Sequence, residues 1–161
     1  MTKNVVKTNA MRLLEQAGIP FETGVYEVDE DDLSGVHAAE KLGVDVDCVF
    51  KTLVARGEKK GLCVFCIPVA AELDLKKCAA LTGEKKIEMI HVKELLSLTG
   101  YIRGGCSPVG MKKKYPTWID ETAVLFERIY VSAGQRGHQL IVNPEALAAY
   151  LEAPFADLTK E

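Results

Sequence analysis

Residues 48–69, CVFKTLVARGEKKGLCVFCIPV, are the stretch of sequence that decides the fold class. Two runs rich in β-branched, aromatic and other apolar residues, 48–56 and 62–69, flank the loop 57–61, which begins and ends with glycine. Two such runs around a short glycine-containing loop predict an antiparallel β-hairpin.

Further strands and short helices are predicted on both sides of this hairpin. Helices are predicted where apolar residues recur at helical spacing and a polar N-cap or a terminal glycine marks an end. This pattern occurs over residues 4–18, 35–43, 75–83 and 91–100 and after Asn143. Ser34, Asp74 and Asn143 are the predicted N-caps. Extended segments are predicted over residues 21–28, 101–105, 117–120, 128–134 and 138–142. Strands joined by hairpins, with irregularly placed helices, predict an α+β fold: a single domain, residues 1–161, with a mixed, mostly antiparallel, barrel-like sheet and helices packed around it.

Composition limits the kind of protein. A chain of 161 residues, 48% of them hydrophobic, can bury one sizeable core. No apolar run approaches the roughly 18 residues that a membrane span needs, and residues 1–18 lack an apolar signal-peptide core. The five cysteines are irregularly spaced and suggest no disulfide framework. We therefore expect a soluble cytoplasmic protein with no membrane partner.

Charge is distributed unevenly along the chain. The net charge of −3 disfavours a general nucleic-acid coat protein. Acidic residues concentrate in the segment 27–32, and lysines in the pairs 76–77 and 85–86 and the triplet 112–114. These lysines are either solvated surface or a local RNA contact, because counterion release depends on the phosphates contacted and not on total charge.

Metal and redox sites are not predicted. Cys63 and Cys66 form a C-x-x-C, but they lie inside a predicted strand, where residues three apart point to opposite faces. The three histidines, His37, His91 and His138, form no ligand pair. No G-x-S-x-G elbow marks a nucleophilic serine. We expect no metal and no organic cofactor.

Cys106 and Lys51 each have two interpretations. Cys106 lies in GGCSPVGMKKK, residues 104–114, where glycines and nearby cations could lower a thiol pKa, but no histidine is close in sequence. It is either a nucleophile or a residue that fills the loop. Lys51 interrupts an apolar strand and faces either solvent or a cleft, where it could orient a substrate's polar group.

Four motifs occur together and in order: FKTL (50–53), GYIRGGCSPVG (100–110), KKKYPTWID (112–120) and IYVSAGQRG (129–137). With PVAAELDLKK (68–77) and the terminal FADL (155–158), they resemble the YbaK family over nearly the whole chain. That family comprises bacterial Cys-tRNA(Pro) deacylases and is related to the editing domain of prolyl-tRNA synthetases.

The resemblance implies a trans-editing deacylase that removes cysteine from mischarged tRNA(Pro). In such enzymes the substrate's own thiol is thought to attack the aminoacyl ester, so Cys106 would not be the nucleophile. The implied partners are Cys-tRNA(Pro) and, transiently, prolyl-tRNA synthetase. The alternatives are a deacylase that acts on Ala-tRNA(Pro) or a broader range of aminoacyl-tRNAs with water, or a non-catalytic module that binds tRNA or the synthetase.

The resemblance also implies functional residues. The catalytic residues would be Lys51, Gly104 and Gly105; the substrate-binding residues Tyr26, Ser34, Thr52, Ser107, Pro108 and Ser132; the tRNA-binding residues Lys112, Lys113, Lys114 and Arg136. The chain departs from the usual family pattern at Ser34, where phenylalanine is frequent, at Gln139, where an acidic residue is common, and at Cys106, where an aliphatic residue is usual.

Overall fold

Two β-sheets and five α-helices make up the computed structural model, which describes residues 7–161. The helices are α1 (Asn9–Gln16), α2 (Gly35–Leu42), α3 (Leu75–Thr82), α4 (Leu95–Thr99) and α5 (Pro144–Leu151). The strands are β1 (Phe21–Val25), β2 (Phe50–Gly57), β3 (Gly61–Pro68), β4 (Ile87–Met89), β5 (Thr117–Asp120), β6 (Ile129–Gln135), β7 (His138–Val142) and β8 (Phe155–Ala156). Short 3₁₀ helices span Val46–Cys48, Val92–Glu94 and Glu121–Leu125.

The predicted hairpin forms the centre of the larger sheet. β2 and β3 pair antiparallel from Phe50 opposite Pro68 to Gly57 opposite Gly61, in a sheet with the strand order β4-β2-β3-β5-β8. The β3–β5 and β5–β8 pairs are parallel, and every other strand pair in the two sheets is antiparallel. The predicted α+β fold with mostly antiparallel pairing is therefore confirmed.

The strands divide into two sheets instead of forming one. The smaller sheet has the order β1-β7-β6, and a parallel bridge between Val49 and Tyr130 links it to the start of β2. On that edge of β2, β4 pairs only with Ala55–Gly57. Because β6 lies at one end of this edge and β4 at the other, a gap remains along the middle of β2.

The predicted N-caps position three helices. The side chains of Ser34, Asp74 and Asn143 accept hydrogen bonds from backbone N–H groups in the first turns of α2, α3 and α5. Each bond satisfies a donor that has no partner within its helix. The first predicted helix begins at Asn9 with Thr8 as its N-cap, and the predicted residues 4–6 lie outside the described residues.

The expected strand over residues 101–105 is wrong. Residues 101–116 form a loop, in which the N–H of Gly105 donates to the carbonyl of Ile102 (2.9 Å) and closes a turn. The sequence also gave no indication of β4 and β8, which are three and two residues long. Strands this short have too few residues to show a period of two.

The faces of β3 pack into different parts of the core. Cys63 lies with Phe65 and Ile67 in one cluster, and Cys66 lies in another, on the opposite face. All five cysteines are free, and residues 7–161 contain no group of three histidine, cysteine or acidic side chains arranged to hold a metal ion. Within the same residues, no helix has the length and apolar character required to cross a membrane.

The buried carboxylate of Asp120 ties the C-terminal segment to β5, which predicts a large effect of its removal. Its Oδ2 accepts from the N–H of Thr122 (3.2 Å), and its Oδ1 accepts from the N–H of Leu158 (3.0 Å). Asp120→Ala leaves the buried N–H of Leu158 without an acceptor, so we expect the free energy of unfolding to fall by about 2–3 kcal/mol. Urea denaturation measures this change.

Asp157→Ala is the matched control for Asp120→Ala. Asp157 is an exposed carboxylate that pairs with Lys77 on the surface. Exposed pairs contribute little to stability, so the unfolding midpoint should hardly move. Equal destabilisation by the two substitutions would contradict the role assigned to Asp120.

Candidate functional site

A cavity of about 390 Å³ opens along the uncovered middle of β2. We call it the Lys51 cavity. Six polar side chains named in the sequence analysis line it: Tyr26, Ser34, Lys51, Thr52, Ser132 and Gln139. Its size suits a small ligand or the end of a larger one.

The edge of β2 supplies backbone groups to this cavity. The carbonyl of Val54 accepts from the N–H of Ile90 on this edge (3.3 Å). Because the backbone groups of alternate residues point to the same side of a strand, those of Thr52 face the cavity. A free strand edge with unpaired N–H and C=O groups can hydrogen-bond a polar ligand.

Lys51 lies at the cavity in a partly buried position opposite Ile67 of β3. Burial lowers the pKa of its ammonium below the ordinary value, and the charge of Glu72 partly offsets this. Glu72 itself pairs with Lys160 (3.8 Å). Of the two interpretations left open by the sequence, the structure has Lys51 in a cleft.

The two adjacent glycines of the loop 101–116 have different surroundings. Gly104 lines the cavity with φ +84°, and its N–H donates to no protein acceptor among residues 7–161. Gly105 is buried, and its N–H already donates to Ile102. A Cβ at Gly105 would lie 3.1 Å from the backbone nitrogen of Arg136. Gly105 therefore permits close approach of two loops, whereas Gly104 has an amide free to contact a ligand.

Cys106 lines the cavity but is poorly suited to act as a nucleophile. It packs with Val54 and Val64 in a small core cluster. Burial raises the pKa of its thiol to about 12, so the group is protonated at neutral pH. Because the thiolate is the reactive form, these surroundings favour the interpretation of Cys106 as a packing residue.

Ser132 and Gln139 are paired across β6 and β7 and both reach the cavity. The Oγ of Ser132 accepts from the N–H of Gly134 (3.1 Å). The Oε1 of Gln139 is buried and has no hydrogen-bond partner among residues 7–161. An unsatisfied buried acceptor is costly, so this oxygen is a candidate to accept a hydrogen bond from a ligand. The sequence marked Gln139 only as a departure from a family pattern.

Arg136 holds the cavity mouth together. Its Nη1 pairs with Oε2 of Glu30 (2.8 Å), and its Nε donates to the carbonyl of Arg103 (2.8 Å). The N–H of Tyr26 donates to the carbonyl of Gly137 in the same turn (3.0 Å). Arg136 thus has partners within the protein, whereas the side chain of Arg103, which the sequence analysis did not select, lines the cavity.

The remaining predicted site residues do not line the Lys51 cavity. Ser107 is fully buried, and its Oγ accepts from the N–H of Val109 (3.1 Å). Pro108 lines a second cavity, together with Lys113 and Lys114. Lys112 lines neither cavity. The structure thus brings together Lys51, Gly104 and four of the six predicted substrate-binding residues, and separates them from Ser107, Pro108 and the lysine triplet.

Comparison with known proteins finds similarity to aminoacyl-tRNA editing proteins. Residues 33–150 match the family model of the aminoacyl-tRNA editing domain. A protein of Enterococcus faecalis, provisionally named Cys-tRNA(Pro)/Cys-tRNA(Cys) deacylase EbsC, is 48% identical over 157 residues, 98% of this chain and 96% of its own length. A proline–tRNA ligase of Shouchella clausii is 33% identical over 108 residues, which cover 66% of this chain and 19% of the ligase.

A solved structure supports the same assignment. It is the crystal structure of a protein provisionally assigned as a trans-editing enzyme for prolyl-tRNA synthetase, with a TM-score of 0.83 and 27% identity. The match covers 98% of this chain and all of that one. Because the family model matches most of the chain and the Enterococcus relative aligns with nearly all of it, the predicted resemblance is confirmed: the chain belongs to the YbaK-type family of aminoacyl-tRNA editing domains.

Proposed function

We propose that this protein is a trans-editing deacylase that removes cysteine from mischarged tRNA(Pro), with the substrate's own thiol as the nucleophile. The observation that carries the proposal is the composition of the Lys51 cavity. Among the described residues that line it, there is no carboxylate and no histidine. The cavity therefore offers no ordinary general base to activate a water molecule.

A thiol needs less activation than water to act as a nucleophile. The thiol of Cys106 is buried and protonated, which leaves the cysteine of the substrate as the better candidate. Correctly charged Pro-tRNA(Pro) carries no thiol and would be spared by this chemistry. The reaction itself would then separate the wrong amino acid from the right one.

In the proposed step, the substrate sulfur forms a bond to its own ester carbonyl carbon. The bond from that carbon to the ribose oxygen of the terminal nucleotide breaks, and the thiol proton passes to this oxygen. The products are free tRNA and a four-membered cyclic thioester of cysteine. The N–H of Gly104, which lines the cavity and has no acceptor among residues 7–161, would stabilise the charge that develops on the carbonyl oxygen.

Two further groups of the cavity would orient the substrate. The partly buried ammonium of Lys51 can bind the polar groups of the terminal nucleotide. The unpartnered Oε1 of Gln139 can accept a hydrogen bond from the amino group of the cysteinyl ester. Holding the thiol and the ester in one reactive geometry would supply much of the rate enhancement.

The need for such an enzyme follows from the size of its substrates. Cysteine and proline have similar volumes, and a small apolar pocket rejects a near-isostere by only about 1–3 kcal/mol. A synthetase that charges proline will therefore also charge some cysteine, and a second site has to remove it. The proposed activity belongs where tRNAs are charged, in the cytoplasm.

Amino-acid release from three charged tRNAs tests the proposed chemistry. We expect release of cysteine from Cys-tRNA(Pro) and no release from Ser-tRNA(Pro) or Ala-tRNA(Pro), because only cysteine carries a thiol. Lys51→Ala should reduce cysteine release at least tenfold, and Lys76→Ala, which removes an exposed lysine from α3, should not change it. Release of serine or alanine would identify water as the nucleophile. No release from any substrate would indicate a binding module.

Cys106→Ala tests whether the nucleophile is the thiol of the substrate or the thiol of Cys106. We expect the rate of cysteine release to stay within about threefold of the wild-type rate, because a thiol with its pKa raised to about 12 is not a useful nucleophile at neutral pH. Cys63→Ala, which removes a buried thiol that does not line the cavity, controls for the loss of packing. Loss of turnover in Cys106→Ala alone would overturn the assignment.

Selection of the proline tRNA is proposed to depend on a transient complex with prolyl-tRNA synthetase. The name of the Enterococcus relative includes both tRNA(Pro) and tRNA(Cys), and the chain resembles a segment of a proline–tRNA ligase. We expect the isolated protein to release cysteine from Cys-tRNA(Cys) at a rate similar to that for Cys-tRNA(Pro), and added synthetase to favour the proline tRNA. Strict discrimination by the isolated protein would contradict this prediction.

A further inference from the structure

A second cavity, of about 330 Å³, adjoins the other part of the loop 101–116. We call it the Tyr150 cavity. The side chains of Leu13 and Met111 contribute apolar surface, and Tyr115 and Tyr150 contribute aromatic surface. The mechanism proposed above uses none of these residues.

The aromatic walls are held in place by the fold. The hydroxyl of Tyr115 donates to the carbonyl of Leu98 (2.7 Å). Tyr150 lies on α5 and packs against the main core cluster. Both rings are partly buried and partly accessible. Fixed aromatic rings beside aliphatic side chains form a surface on which a flat ring can stack with little loss of conformational entropy.

The three lysines of the triplet 112–114 differ in their availability. The Nζ of Lys112 donates to the carbonyl of Ser97 (3.3 Å), and Lys114 forms an ion pair with Glu152. Lys113 is exposed, lines the Tyr150 cavity and has neither an ion-pair nor a hydrogen-bond partner among residues 7–161. The cavity therefore combines aromatic surface with one available cation.

We propose that the Tyr150 cavity binds an unpaired nucleotide of the tRNA substrate, with its base against Tyr150 and Tyr115 and its phosphate on Lys113. Stacking platforms with a nearby cation are the usual way to bind single-stranded nucleic acid. A base inside a duplex is stacked between its neighbours and cannot enter such a cavity. The inference rests on the proposed function, because it takes tRNA to be the substrate.

The position of the cavity suits a nucleotide near the charged end of the tRNA. Cys106 lines the Lys51 cavity, and Pro108, two positions further on, lines the Tyr150 cavity. Chain geometry limits the distance between their Cα atoms to about 7 Å. The proposal takes one strand of nucleic acid to contact both cavities, which share this loop.

Binding of a fluorescent, uncharged tRNA(Pro) acceptor minihelix, followed by anisotropy, tests the proposal. We expect Tyr150→Leu to weaken binding at least fivefold, because it removes the stacking surface. Lys113→Gln should weaken binding and lower the slope of log affinity against log salt by about 0.7. Lys59→Gln is the matched control and should leave both quantities unchanged, because Lys59 is exposed in the loop between β2 and β3 and lines neither cavity.

A second probe and a second variant make the result specific. A blunt minihelix without the single-stranded 3′ end should bind the wild type at least as weakly as the intact minihelix binds Tyr150→Leu, because it loses contacts at both cavities. Tyr150→Phe retains the ring and should bind like the wild type. If Tyr150→Leu does not fold, the exposed position Lys113 still decides the outcome. Equal binding of blunt and intact minihelices, or unchanged binding by Lys113→Gln, would overturn the proposal.

Turnover distinguishes this inference from the proposed function. Tyr150→Leu and Lys113→Gln should raise KM for Cys-tRNA(Pro) without changing kcat, and should leave cleavage of cysteinyl-adenosine, which has no further nucleotides, at the wild-type rate. A fall in kcat for cysteinyl-adenosine in these two variants would contradict the proposal that the Tyr150 cavity binds a further nucleotide. If the wild type cleaves neither substrate, the proposed function fails, and the anisotropy experiment still tests the nucleotide site.

Discussion

The incomplete covering of one edge of β2 is the constraint on which the site depends. β3 pairs with the full length of β2 on one side, while β6 and β4 reach only the two ends of the other side. The two sheets separate at this place, and the Lys51 cavity fills the space between them. A shift of the β2–β3 register by one residue would turn Lys51 to the opposite face of the sheet. The same pairing therefore stabilises the fold and positions the lysine.

The loop 101–116 gives this cavity its second wall. Its close approach to the β6–β7 turn requires Gly105, because a side chain there would meet the backbone of Arg136. Arg136 then joins the turn to the loop, through the bond from its Nε to the carbonyl of Arg103, and to the acidic segment 27–32, through its ion pair with Glu30. A glycine-rich sequence that looks suited to flexibility is used here for tight packing, and the adjacent Gly104 lines the cavity with an N–H that has no acceptor among residues 7–161.

Under the proposed function, the cavity's composition would make a site without an acid–base pair selective. A partly buried ammonium, a backbone amide without a protein acceptor and an unsatisfied amide oxygen can bind and orient a substrate, but no carboxylate or histidine among the described residues lines the cavity to act as the general base that water requires. Chemistry that uses a nucleophile from the substrate removes this requirement. Selectivity would then depend on a thiol that proline lacks. The presence or absence of a thiol discriminates between the two amino acids more strongly than their small difference in volume does.

Local signals in the sequence were sufficient for the α+β fold, the central hairpin and the caps at Ser34, Asp74 and Asn143, because each depends on residues close together in the chain. Family motifs added Lys51 and Gly104. Contacts between distant residues could not be predicted in this way: Glu30 and Arg136 are 106 positions apart, and the tertiary structure buries Oε1 of Gln139 without a hydrogen-bond partner among residues 7–161. The three consecutive lysines 112–114 look alike in the sequence, but each has different surroundings in the structure, which the sequence could not show. Hydrophobic period and capping are determined by sequence neighbours, whereas burial, charge pairing and the shape of a cavity are determined by the tertiary packing of segments far apart in the chain.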